Sequence, residues 1–178
     1  MKNKIFIIII AFNLLSFSAS AITKPPFDNI SISKNPVQYK EIVFEDFDGK
    51  PINLKNNNSK IYILNFWATW CQPCKEEMPS LDKLQTVEGI DVFAINLEAK
   101  NQIKTEKFFK DLNIKNLSIY FDPELNLVKL LTLRGVPTTV ILNKDRDEIA
   151  RIIGILDFND EKFISWINDI LSSKKINH

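Results

Sequence analysis

The chain has 178 residues, of which 45% are hydrophobic, and this length fits one globular domain together with a processed segment. It carries 23 lysines and arginines against 22 aspartates and glutamates, so its formal net charge is +1. Nucleic-acid-binding domains usually carry a clear excess of basic residues, and the composition excludes that class.

Residues 1–21 have the layout of a secretory signal. Lys2 and Lys4 precede a largely apolar run at residues 5–15, and the small residues 19–21 form a candidate cleavage site. The apolar run is shorter than the ~20 residues that a membrane-spanning helix needs, which favours cleavage over an uncleaved anchor. In both cases the rest of the chain is predicted to lie outside the cytoplasm, in the periplasm or secreted, and it meets the membrane only if the segment stays uncleaved.

Composition divides the remaining chain into a tether, a domain and a tail. Residues 22–40 contain three prolines among scattered serines and asparagines, which favours an extended tether or an edge covering without regular structure. Residues 41–173 are predicted to form the folded domain, and residues 174–178 a tail. At the start of the domain, strand-like runs at residues 42–47 and 51–54 flank an Asp-Gly turn signal, so we expect a hairpin.

Strand and helix patterns alternate through the rest of the domain. Apolar runs predict strands at residues 61–66, 91–97, 117–121 and 135–142, the last entered through Val-Pro and paired antiparallel with residues 148–155. Four helices are predicted. The first follows Cys74 and has a kink at Pro79, and the second covers residues 101–113. The third runs from an Asp122-Pro123 start to about residue 134 with Leu125, Val128 and Leu131 on one face, and the fourth runs from Asp160 to Leu171. This alternation predicts an α/β sheet with helices on both faces.

Both cysteines of the chain lie in a W-A-T-W-C-Q-P-C motif at residues 67–74, where a predicted strand ends and a helix begins. A thiol at a helix N-terminus meets unpaired backbone N–H groups and the positive end of the helix dipole, which lower its pKa. Cys71 occupies such a position. Cys74, one turn further along, can attack a mixed disulfide formed at Cys71, so the pair is predicted to be a redox-active dithiol.

Two other uses of the cysteines are weaker. A structural disulfide between residues three apart constrains the unfolded chain little. A zinc site would need two further ligands, and the only histidine, His178, is the last residue. We therefore expect no metal and no cofactor other than the redox-active disulfide itself.

The W-A-T-W-C-Q-P-C motif, Glu-Met-Pro at residues 77–79 and Gly-Val-Pro-Thr-Thr at residues 135–139 together resemble the TlpA/ResA-like thiol:disulfide oxidoreductases of the thioredoxin superfamily. The resemblance covers residues 42–171. It implies a thioredoxin fold with an N-terminal β-hairpin and a central strand–helix insertion at residues 90–113. It also implies an enzyme that reduces disulfides in client proteins, such as apocytochrome c or copper-site cysteines, and is recharged by a membrane electron donor. A monomer is the default expectation.

The resemblance also assigns roles to individual residues. It makes Cys71 the attacking thiol and Cys74 the resolving thiol. Pro137 matches the family's cis-proline, which lies beside the dithiol and leaves the backbone of Val136 free to pair with a bound substrate strand. An ordinary trans proline at a strand start is the alternative, although a cis bond before proline costs little.

Asn65 marks a departure from thioredoxin, which has a buried aspartate at this position to take the proton of the resolving thiol. An asparagine amide does not titrate near neutral pH. Glu77 matches an acid that ResA-like proteins place near the dithiol, and it becomes the candidate for the proton transfer, with a solvated helix glutamate as the alternative. Trp70 is a candidate for the recognition surface, whereas packing behind the active-site turn is favoured for Trp67.

Other functions could use the same residues. A dithiol oxidant that introduces disulfides differs from a reductase only in its reduction potential. An assembly module with a structural cystine would need no redox activity. A peroxidase is disfavoured, because peroxidases use a lone activated cysteine in a different threonine and proline pattern, whereas Cys71 belongs to a dithiol motif.

Overall fold

The structure is a computed structural model that describes residues 24–173. The predicted signal segment and the predicted tail lie outside these residues. Within them the strands are β1 (Ile30–Ile32), β2 (Val43–Glu45), β3 (Pro51–Asn53), β4 (Ile61–Trp67), β5 (Ile90–Asn96), β6 (Ile119–Phe121), β7 (Thr138–Asn143) and β8 (Glu148–Ile153). The helices are α1 (Gln72–Leu84), α2 (Gln102–Asp111), α3 (Asn126–Leu130) and α4 (Glu161–Ser172).

The strands form one sheet in the order β1-β8-β7-β4-β5-β6-β2-β3. At its centre β4 pairs in parallel with β5 and antiparallel with β7. The hairpin β2–β3 extends one edge, as predicted. The predicted insertion corresponds to β5 and α2, and β7 and β8 form the predicted antiparallel pair.

Two hydrophobic cores lie on opposite faces of the sheet, because the side chains of β4 alternate between them. Ile63 and Trp67 face the core beneath α1, α2 and α4. Leu64 and Phe66 face the other core, beneath α3 and the segment that contains the hairpin. Helices therefore cover both faces, and the predicted α/β fold is confirmed.

The prediction that residues 22–40 lack regular structure is wrong for Ile30–Ile32, which form the edge strand β1. This strand pairs antiparallel with β8, and Ile30 is buried. A three-residue strand is too short to show a periodic pattern, and its pairing depends on a partner about 120 residues away in the chain. The boundaries predicted between tether, domain and tail otherwise remain predictions.

The third helix is shorter than predicted, and it begins later. Asp122 accepts hydrogen bonds from the backbone N–H groups of residues 126–128 at 2.9–3.3 Å, so it caps the helix from several residues away. Leu125 adopts a left-handed conformation, with φ of 54°, and is exposed instead of lying on a buried face. The helix ends at Leu130; Thr132 just beyond it is left-handed, with φ of 50°, and the backbone N–H of Leu133 donates to the carbonyl oxygen of Val128 at 2.9 Å.

The first helix runs through Pro79 and stays continuous to Leu84. Near its end, the buried Asp82 accepts hydrogen bonds from the backbone N–H groups of residues 115–117 at 2.7–3.0 Å. These bonds fix α1 to the loop before β6. At the other end of the domain, Asp160 caps α4 as predicted.

Two features are absent from residues 24–173. None of their helices combines the length and the apolar character that crossing a membrane requires. The same residues contain no group of three or more histidine, cysteine, aspartate or glutamate side chains arranged to hold a metal ion.

Candidate active site

The two cysteines lie just after the carboxyl end of β4, where the chain turns into α1. Cys71 is the N-cap residue of α1, and a proline occupies the first turn, where its missing N–H costs nothing. Cys71 and Cys74 form a disulfide with an S–S distance of 2.08 Å. The backbone N–H of Cys74 donates to Sγ of Cys71 at 3.2 Å. Once the disulfide is reduced, this donor and the helix N-terminus favour a negative charge on the Cys71 sulfur.

The two sulfurs differ in accessibility. Cys71 is 4% exposed and Cys74 is 0% exposed, so an incoming partner reaches Cys71 first. Trp70, directly before Cys71, is 69% exposed and offers an apolar surface beside the reachable sulfur. Trp67 is fully buried and packs on Phe108 with ring centroids 4.5 Å apart, which confirms its predicted place behind the turn.

The peptide bond between Val136 and Pro137 is cis, so the alternative of a trans proline is wrong. The register pairs Thr138, the next residue, with Phe66 near the end of β4. Pro137 therefore lies at the same edge of the sheet as the dithiol turn. Val136 is partly exposed at this edge.

A loop after β8 forms a further wall of this edge, which the sequence reasoning missed. The backbone N–H of Gly154 donates to the carbonyl oxygen of Pro137 at 2.9 Å. Gly154 has φ of +86°, a conformation that favours glycine. Ile153 and Ile155 on either side are exposed and form an apolar rim. The available signal was a glycine between isoleucines where a strand pattern ends.

Glu77 is buried, so its interpretation as a solvated helix glutamate is wrong. It lies one turn after Cys74 on the same buried face of α1. Its Oε1 accepts from Nδ2 of Asn65 at 2.8 Å, and its Oε2 accepts from the backbone N–H of Leu156 at 3.3 Å. Burial raises the pKa of Glu77 from its ordinary value of 4.5 to about 7, against the smaller lowering effect of the two hydrogen bonds.

This raised pKa makes stability depend on pH. The folded state binds the proton of Glu77 more tightly than the unfolded chain, so its contribution to stability is full below about pH 4.5 and is lost as pH rises through about 7. We expect Glu77→Gln to reduce the fall in the free energy of unfolding between pH 5 and pH 8 by about 2 kcal/mol. Urea denaturation of the oxidised protein at both pH values measures this difference. The exposed neighbour Glu76 provides the control Glu76→Gln, and equal pH dependence in both variants would contradict the expectation.

A second carboxylate, Glu98, holds the segment that precedes Cys71. It accepts hydrogen bonds from the backbone N–H and the hydroxyl group of Thr69, and from Nζ of Lys104 at 2.6 Å. Burial alone would raise the pKa of Glu98, but the hydrogen bonds from Lys104 and Thr69 outweigh burial and hold it below its ordinary value. Glu98 follows β5, and nothing in its sequence context links it to the dithiol.

The structure thus brings Cys71, Cys74, Trp70, Val136 and Pro137 to one edge of the sheet. It places Glu77 under that edge, inside the domain. A more exposed sulfur and a buried partner sulfur at a helix N-terminus can carry out thiol–disulfide exchange.

The chain is similar to known proteins. The chain matches the AhpC/TSA family over residues 37–151. It is 32% identical over 129 residues to the thiol-disulfide oxidoreductase ResA of Halalkalibacterium halodurans, a match that covers 71% of the chain and 72% of that protein. A ResA of Bacillus cereus is 30% identical over 115 residues, which cover 63% of the chain and 65% of that protein.

A solved structure extends the likeness to the fold. The crystal structure of a secreted thiol-disulfide isomerase from Corynebacterium glutamicum superimposes with a TM-score of 0.66 and 22% identity. The match covers 82% of the chain and 95% of that structure. The chain therefore belongs to the AhpC/TSA family and, with its thioredoxin fold, to the ResA-like thiol-disulfide oxidoreductases.

Proposed function

We propose that this protein works outside the cytoplasm and reduces disulfides in client proteins through Cys71 and Cys74. The observation that carries the proposal is the asymmetric dithiol, in which a reachable sulfur caps a helix beside a cis-proline and its partner sulfur is buried. The predicted signal segment at residues 1–21 supports the location.

The proposed reaction transfers two electrons to the client. The Cys71 thiolate attacks one sulfur of the client disulfide, a Cys71–client disulfide forms, and the other client sulfur leaves as a thiolate. Cys74 then loses its proton and attacks the Cys71 sulfur. This step releases the second client thiolate and forms the Cys71–Cys74 disulfide that the structure contains.

Glu77 is our proposed acceptor for the Cys74 proton. It lies on the same helix face one turn away, and its pKa of about 7 leaves it partly ionised near neutral pH. An acid with a pKa close to the working pH can both take and return a proton. Asn65, at the position of the thioredoxin aspartate, cannot do so.

Three residues are proposed to bind the client. Exposed Trp70 offers an aromatic contact next to the sulfur that is attacked. Val136 is partly exposed at the edge that holds the dithiol, and its backbone would pair with an extended client segment, with Pro137 beside it. These contacts would hold the client disulfide in line with Cys71.

The resemblance to ResA-like proteins supports the reducing direction. It also supports apocytochrome c or copper-site cysteines as clients, and a membrane protein as the donor that recharges the dithiol. A dithiol oxidant is the competing proposal, and the two differ in reduction potential.

Equilibration of the purified protein with thiol–disulfide buffers, read by tryptophan fluorescence, measures this potential. We expect a value nearer to the about −270 mV of thioredoxin than to the about −120 mV of dedicated oxidants. The reduced protein should also reduce an oxidised peptide that carries a Cys-x-x-Cys-His haem-attachment motif. A potential near about −120 mV would favour the oxidant instead.

A further inference from the structure

Asn65, Glu77 and Thr139 form a buried polar cluster between β4, α1 and β7. The exposed fractions of these residues are 0%, 1% and 1%. Asn65 and Thr139 are direct cross-strand neighbours. Nδ2 of Asn65 donates to Oε1 of Glu77 at 2.8 Å and to Oγ1 of Thr139 at 3.0 Å. Within residues 24–173, Oδ1 of Asn65 has no hydrogen-bond partner.

This arrangement favours the ionised form of Glu77. A carboxylate can only accept hydrogen bonds, and the amide group of Asn65 supplies a donor to it. A carboxylic acid carries an O–H group that must find an acceptor. In the described orientation the Asn65 amide presents its donor Nδ2 to Glu77, while its acceptor Oδ1 has no partner.

Exchange of the two amide atoms would suit the other charge state. If Oδ1 took the place of Nδ2, it would face the O–H group of protonated Glu77 and the hydroxyl group of Thr139. Both of these groups can donate to a carbonyl oxygen. Each charge state of Glu77 therefore has a matching orientation of the Asn65 amide, and the two orientations differ by a turn of that one amide.

We propose that Asn65 is a positioning residue whose amide turns over when Glu77 gains or loses a proton, so that Nδ2 meets the carboxylate and Oδ1 meets the carboxylic acid. No electrons move in this step, and the proton is the one that passes between Cys74 and Glu77. The inference rests on the proposed role of Glu77. It adds the residue that lets a buried site accommodate both forms of the acid.

The groups that face Glu77 are neutral. Asn65 contacts it from β4, and the Leu156 backbone N–H contacts it from the loop after β8. Among residues 24–173, the ion pairs do not involve Glu77. The amide of Asn65 is thus the side-chain group that forms a hydrogen bond with the Glu77 carboxyl group, and it can respond to the charge of that group.

Titration of the oxidised full-length protein by NMR tests the inference without any client, since the disulfide removes both thiol titrations. The 13C signal of the Glu77 carboxyl group reports its charge, and the Asn65 side-chain NH2 signals report the orientation of the amide. We expect the Asn65 signals to shift with the same midpoint as Glu77. Asn65 signals that stay constant through the titration of Glu77 would overturn the inference.

The variant Asn65→Ala removes the group that bonds both forms of the acid, so we expect the Glu77 midpoint to change by less than about one pH unit, a less than tenfold change in the acid dissociation constant. Asn96, fully buried at the end of the neighbouring strand β5, provides the matched control Asn96→Ala, which should leave the midpoint unchanged. A rise of about two pH units in Asn65→Ala, which a fixed donor to the carboxylate would produce, would overturn the inference. Failure to reduce the haem-motif peptide would instead refute the proposed function, because the titration uses no client.

Discussion

Replacing Cys71 by serine is expected to abolish reduction of client disulfides, with a loss of at least about a thousandfold in rate. Cys71 carries the reachable sulfur, and the serine hydroxyl is not ionised at neutral pH. The buried Cys74 cannot replace it, because it is fully enclosed in the fold. Initial rates with the oxidised haem-motif peptide measure the loss. An assembly module with a structural cystine predicts instead that client-dependent phenotypes survive Cys71→Ser.

The partner variant, Cys74→Ala, is expected to stop the reaction halfway. Cys71 still attacks the client, but no internal thiol can resolve the mixed disulfide, so the adduct accumulates. Cells that export this variant should yield adducts on non-reducing gels that disappear with reductant, and mass spectrometry then identifies the client. The double variant Cys71→Ser/Cys74→Ala is the control and should yield none. Absence of adducts from the single variant would count against exchange with protein clients.

Replacing Asp82 by alanine is expected to destabilise the fold by about 3 kcal/mol or more. Its Oδ1 accepts from three consecutive backbone N–H groups of residues 115–117, and its Oδ2 accepts from Nδ2 of Asn116 at 3.0 Å. Removal of the carboxylate leaves these donors without their partner: the N–H of buried Leu117 costs about 1–3 kcal/mol when unpaired, and those of the exposed Lys115 and Asn116, which water can reach, add less. The hydrogen bonds described for this loop include no other acceptor for the three backbone donors.

Urea denaturation at neutral pH measures the effect of Asp82→Ala. Asp82→Asn retains one acceptor oxygen for the backbone donors and should lose less stability than the alanine variant. Asp111→Ala is the matched control, since this aspartate is exposed and forms a helical ion pair with Lys107, a type that contributes about 0.5 kcal/mol or less. A loss within 1 kcal/mol of the control would show that the loop does not depend on Asp82.

The central elements of this fold could be predicted from the sequence because local patterns determine them. The run that forms β4 is apolar apart from Asn65, and the strand is buried along its whole length. The dithiol motif marks the start of α1, and Val-Pro marks the entry to β7. The strand β1 and the start of α3 could not be predicted in this way, because each depends on a distant partner or on an unusual backbone conformation at Leu125.

The active site likewise combines residues that local motifs predict with residues that only the fold brings together. The dithiol and Pro137 were visible as motifs. Glu76 and Glu77 are chemically identical in the sequence, yet the helix turns one side chain into solvent and the other into the domain. The contact between Glu98 and Thr69 joins residues 29 apart and depends on how β5 lies beside β4. No local pattern of residues carries that information.

The edge strand β1 also affects how the molecule behaves among its own copies. Without it, β8 would present a row of unpaired N–H and C=O groups next to the exposed Ile153, and open strand edges of this kind pair readily with other chains. By pairing with β8, Ile30–Ile32 occupy that edge. Of the two predicted roles of this segment, an edge covering therefore describes Ile30–Ile32, which shield the edge of β8 from pairing with other chains.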